Sequence, residues 1–71
     1  MQDLLATIQT GSDLFHVEAS DNGWTIFPQT GRERAFTEMI GELAFRPNDE
    51  FAIIPLSDGN LGYERAIVLP L

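Results

Sequence analysis

The side chains best suited to chemistry in this sequence are His16, Glu18 and Ser20, within the run LFHVEASDNGWTIFP. A base, a carboxylate to orient it and a hydroxyl are the parts of a nucleophilic site. They are spaced two residues apart, so on a strand they share a face and stand about 7 Å from one another. Activating a nucleophile requires hydrogen-bond contact of about 3 Å, so the spacing describes a solvated strand face. As a metal ligand His16 would stand alone, because the chain has no second His and no Cys. Carboxylates would have to supply the rest of the shell.

Glu38 and Glu42 lie one helical turn apart, in a row that begins with Arg34 and ends with Arg46. Two glutamates could act as an acid and a base, but a solvated helix face offers nothing to separate their pKa values. An i,i+4 ion-pair ladder, worth a few tenths of a kcal/mol per pair, accounts for the row. The runs Asp21-Asn22-Gly23 and Asp58-Gly59-Asn60 resemble pieces of calcium loops. Neither has the 12-residue frame and closing glutamate of such a loop, so turn chemistry explains both. Gly31-Arg32-Glu33-Arg34 could offer backbone N–H groups to a phosphate. It lacks the glycine spacing and lysine of a phosphate loop, and Glu33 would repel the anion. No catalytic residue, metal site or cofactor is expected, and the chain is not expected to be an enzyme.

These residues need elements to hold them. Two alternating runs flank Asn22-Gly23, a pair that suits a type I′ hairpin turn. That turn would set Asp21 opposite Trp24 and Ala19 opposite Ile26. Phe15, Val17, Ala19, Trp24 and Ile26 then share the core face, and His16, Glu18, Ser20, Thr25 and Phe27 share the other. Leu14 falls with Phe27 by the same alternation. If nothing covers that face, the two form an apolar patch beside His16 and Glu18.

Thr30 and Glu33 read as a capping box that opens a helix. Its apolar stripe is Ala35, Phe36, Met39, Ile40, Leu43 and Ala44, and Arg46-Pro47 ends it. Gly41 inside the helix could mark a close approach to a strand. FAIIPL and YERAIVLPL flank the turn cluster SDGNLG as a second hairpin. Both are apolar at nearly every position, which suggests at least one central strand covered on both faces. Pro55 and Pro70 belong at an edge, a bulge or a strand end. In residues 1–10, Leu4, Ala6 and Ile8 alternate as in a strand. Leu4, Leu5 and Ile8, with Asp3 as N-cap and Gly11 as stop, suit a short helix equally well. A strand pairing with the first hairpin is the favoured choice. The expected fold is α+β, one domain over residues 1–71, with an antiparallel sheet of four to five strands and one helix on one face, in the order (β)ββαββ.

Composition limits the function. In 71 residues there are 11 acidic side chains and four basic ones, all Arg, for a net charge of −7. Direct nucleic-acid or anionic-membrane binding requires a cationic surface, so neither is expected. Hydrophobic content of 44% is too high for a disordered acidic tail. A chain this short buries only about 60% of the surface it exposes unfolded, leaving little wall for a deep catalytic cleft. There is no positively charged leader and no apolar run of transmembrane length, so a cytoplasmic protein is expected.

In its size, acidity, lack of cysteine and sheet-plus-helix plan, the chain resembles small phage-encoded anti-CRISPR proteins and related anti-defence inhibitors. That group shares no sequence motif, so no residue is carried over. The resemblance implies a non-enzymatic inhibitor that binds a CRISPR effector subunit, in the host cytoplasm, and denies it DNA. Gly23-Trp24 followed by RERAFTEMIGELAF is also similar to short bacterial domains of unknown function in which a GW hairpin precedes a helix.

Carboxylates 6 to 7 Å apart would approximate the phosphate spacing of a nucleic-acid strand, in roughly the way a DNA mimic requires. A partner protein with a basic nucleic-acid-binding surface is therefore expected. The contacts expected are Glu38, Glu42, Asp49, Glu50, Asp21 and Asp58, with Leu14 and Phe27 as the apolar patch. The alternative is a small structural or accessory domain that forms a homodimer through a strand edge or an apolar sheet face.

Overall fold

A computed structural model describes residues 4–46, 48–57 and 62–71. Helix α1 spans Leu4–Thr10, strand β1 Phe15–Ser20, β2 Gly23–Pro28, helix α2 Glu33–Ala44, β3 Phe51–Leu56 and β4 Arg65–Pro70. The fold is α+β, with one antiparallel four-stranded sheet in the order β1-β2-β4-β3. The ββαββ core of the expected order is present. Two helices stand in place of one, because the opening segment is helical.

That opening segment corrects the strand favoured for residues 1–10. Leu5 and Ile8, three apart, face the core, with Ile8 fully buried and Leu5 packed against the cluster. Leu4, which a strand would have placed beside Ile8, is exposed. Gly11 stops the helix at φ +83°, and its N–H donates to the Thr7 carbonyl at 3.0 Å. A residue without Cβ adopts that left-handed conformation at little cost, which makes glycine the usual helix terminator. Asp3, expected as the N-cap, lies outside the described residues.

In the first hairpin, Ala19 pairs with Trp24, Val17 with Ile26 and His16 with Phe27. The loop is Asp21-Asn22, one residue earlier than expected, and neither residue has positive φ. The type I′ turn on Asn22-Gly23 is thereby corrected. The pairing moves by two positions, so each side chain keeps its expected face. Gly23 is needed for a different reason. A Cβ there would collide with the backbone carbonyl oxygen of Val68 on β4. The strand of the second hairpin that lies beside β2 thus decides the residue that ends the first turn.

Helix α2 starts later than the capping box implied. Its N-cap is Arg32, with no side-chain cap. Gly31 turns the chain at φ +84°, the Arg32 N–H donates to the Gln29 carbonyl at 2.8 Å, and Glu33 Oε2 accepts from the Gly31 N–H at 3.3 Å. Glu33 therefore reaches back as a capping box requires, but to Gly31 instead of Thr30. The helix ends at Ala44 with Phe45 as C-cap; Pro47 lies outside the described residues. Phe36 and Ile40 are its fully buried residues. Gly41 makes no close approach, since a Cβ there would meet nothing within 4 Å.

One cluster forms the core: Ile8 and Phe15, Ile26, Ala66, Val68 and Phe51, with Phe36 and Ile40 seated on them. These positions alternate along the strands and share one face of the sheet. Both helices therefore pack on that side. A cross-link holds α2 to the lead-in of β4, where Thr37 Oγ1 accepts from the Tyr63 N–H at 3.1 Å.

Two glycines give opposite outcomes. Gly41→Ala should raise stability by about 0.5–1 kcal/mol, because it removes helix-opposing entropy and fills open space. Gly23→Ala should lower it by about 1–3 kcal/mol, because backbone must move to admit the methyl group. Urea titration followed by circular dichroism measures both, and equal effects would contradict this account.

Candidate functional site

The candidate site is the sheet face opposite the core. One row crosses all four strands, from Glu18 through Thr25 and Ile67 to Ile54. Flanking rows contain Ser20, Leu69 and Ala52 on one side and His16, Phe27, Arg65 and Leu56 on the other. The half built by β3 and β4 is apolar apart from Arg65, and the β1 edge is polar. Among the described residues no helix or loop lies over this face, and Ile54 remains 43% exposed.

This overturns the expectation that a strand as apolar as β4 is covered on both faces. β4 is central, between β2 and β3. Flanking strands half-bury Ile67 and Leu69 from the sides, with nothing described above them. The continuous apolar runs that signal a two-sided core here signal one core and one open surface. Ile54, Leu56, Ile67 and Leu69 are absent from the expected contacts for that reason.

Phe27 takes its expected place on the open face, its ring stacked on that of His16 with centroids 5.2 Å apart and planes 20° apart. Leu14 does not join it. The chain bends at residues 13 and 14 before β1 begins, and Leu14 packs against the core cluster. The expected Leu14–Phe27 patch is therefore replaced by one that Phe27 shares with β3 and β4. Among the described residues no hydrogen bond joins His16, Glu18 and Ser20. No group of three His, Asp or Glu side chains is placed to hold a metal there either.

The acidic residues divide into two sets. Glu38 and Glu42 lie exposed on α2. Of the expected ladder, Glu42–Arg46 closes at 2.7 Å with both side chains more than half exposed, so it is worth a few tenths of a kcal/mol. Arg32, Arg34 and Arg46 offset Glu33, Glu38 and Glu42, three charges against three, so the segment from Arg32 to Arg46 has no net charge. Asp21, Asp49 and Glu50 lie elsewhere, at one end of the sheet but on its two edges, Asp21 after β1 and the other two before β3. All three are exposed. Asn48 Oδ1 fixes the start of β3 by accepting from the N–H groups of Glu50 and Phe51, each at 2.9 Å. Asp58 lies outside the described residues.

Comparison with family models, with curated proteins and with solved structures gives no match. Among the described residues no helix is long and apolar enough to cross a membrane.

The open face should be thermodynamically quiet. Ile54→Thr should change unfolding free energy by less than about 1 kcal/mol, as surface substitutions do. Phe36→Ala, on the core side, should cost about 3–5 kcal/mol, enough to unfold most of a domain this small. Denaturant midpoints compare the two, and a costly Ile54→Thr would place Ile54 in a second core.

Proposed function

We propose that this is a non-catalytic binding protein that docks its open sheet face on a partner protein with a basic surface. The partner expected on chemical grounds is a component of a nucleic-acid-handling complex, inhibited when its cationic surface is occupied. The single observation that carries this reading is the apolar half-sheet of exposed Ile54 and half-buried Leu56, Ile67 and Leu69, while the other face is filled. Contiguous apolar surface of this kind marks protein contact sites. Asp21, Asp49 and Glu50 at one end supply the sign of the partner. Charge then speeds and orients the encounter, and apolar burial holds the complex.

The geometry gives less support to mimicry of a nucleic acid by α2, since three arginines in and beside the helix balance its three glutamates. Self-association through the same face would bring together two chains of net charge −7. Long-range repulsion opposes that pairing.

Tagged protein, presented to host lysate at about 50 mM salt, should retain a basic species that is captured more slowly and less completely at about 500 mM as screening shortens. Ile54→Arg should lose the same species. Glu38→Lys combined with Glu42→Lys should keep it. Retention by Ile54→Arg would remove the open face from the contact, and a salt-indifferent dimer by light scattering would replace this reading with the accessory-domain one.

A further inference from the structure

The two edges of the sheet differ. Antiparallel partners alternate between positions that exchange hydrogen bonds and positions that turn their backbone away. The Gln29 N–H donates to the Leu14 carbonyl at 2.9 Å, which sets the phase of β1. His16, Glu18 and Ser20 therefore bond to β2, while Phe15, Val17 and Ala19 turn outward. The Phe15 carbonyl accepts from the Ser12 N–H at 3.1 Å. Val17 and Ala19 have no outward partner among the described residues, which leaves two N–H and two C=O groups in a row.

On β3 the Leu71 N–H donates to the Glu50 carbonyl at 3.0 Å, so Phe51, Ile53 and Pro55 face outward. Phe51 already donates to Asn48 Oδ1, and Pro55 has no N–H to offer. Proline and side-chain caps are the ordinary means of closing a sheet edge, and β1 has neither at Val17 and Ala19.

We infer that the β1 edge takes up an extended, lysine- or arginine-bearing segment of a partner protein as a fifth strand. This deepens the reading above by naming the form of the partner, and it rests on that reading. Main-chain bonds to Val17 and Ala19 supply the pairing, as in strand addition generally. Charge selects the occupant. Glu18 projects from the middle of the free stretch, and Asp13 and Asp21 stand beyond its ends, all exposed. The strands contain one cation, Arg65, two strands away on β4. A second copy laid β1 against β1 would bring this acidic edge against its own kind. A segment with cations at alternate positions places them across from Glu18, on the open face.

The test uses the fluorescein-labelled peptide Thr-Lys-Val-Lys-Val-Lys-Thr, its Lys-to-Glu counterpart, and anisotropy with amide chemical-shift mapping. The lysine peptide should bind and shift the Val17 and Ala19 amides, and the glutamate peptide should not bind. Ala19→Pro gives β1 an outward proline like the one β3 has, and should weaken binding at least about tenfold with the fold kept. Glu18→Lys should also weaken it. The inference is overturned if the lysine peptide fails to bind, if its shifts map to α2, or if Ala19→Pro binds it as the wild type does. A dimer that Ala19→Pro abolishes would overturn the choice of occupant. Should Ala19→Pro not fold, slowed hydrogen exchange at Val17 and Ala19 on peptide addition decides the matter, its absence counting against the inference. Ile54→Arg leaves this edge intact, so failure of the open-face reading and failure of the strand addition are separable.

Discussion

Burial on one side of a single sheet governs this molecule. Phe36 and Ile40 can be fully covered only by lying across Ile26, Ala66 and Val68, and α1 brings Ile8 to the same side. A chain of 71 residues has too little apolar material to build a second layer of that quality. Every other feature follows from that economy. The strands alternate, the helices share one side, and the remaining apolar residues of β3 and β4 face outward.

Much of this was legible in the sequence, because a two-residue period fixes which face a side chain takes even when the turn is misplaced. The first hairpin keeps its faces although its loop sits one residue early. The register of the second hairpin, from Phe51 opposite Pro70 to Leu56 opposite Arg65, joins the two apolar runs expected to pair. What was not legible came from contacts between distant segments. The role of Gly23 is set by the Val68 carbonyl, 45 positions along (68 − 23), and no local pattern encodes that approach. The choice between strand and helix in the opening segment turned on whether Gly11 or the alternation of Leu4, Ala6 and Ile8 would prevail, and burial of Leu5 and Ile8 together settled it.

The candidate site was legible in kind and only partly in place. The exposed acids Asp21, Asp49 and Glu50 and the aromatic Phe27 were visible as surface residues. Their arrangement depends on strand order, which a list of elements does not contain. The sequence already showed Glu38 and Glu42 in a row with Arg34 and Arg46, and the structure closes the Glu42–Arg46 pair of that ladder. Leu14 shows a further limit. Alternation extends only as far as the strand does, and the bend at residues 13 and 14 returns its side chain to the core.

The strand order has a consequence for synthesis. β4 comes after the other three strands in the chain yet lies between β2 and β3. On the ribosome, the first hairpin and the α2–β3 unit emerge before the strand that hydrogen-bonds both β2 and β3. Neither can reach its final state by growing outward from a finished nucleus, because the middle of the sheet is translated last. Until Ala66 and Val68 slot in, Phe36 and Ile40 have only the part of their floor that Ile26 and Phe51 supply. The nascent chain exposes that apolar surface throughout the interval, and its net charge of −7 opposes association with other copies of itself.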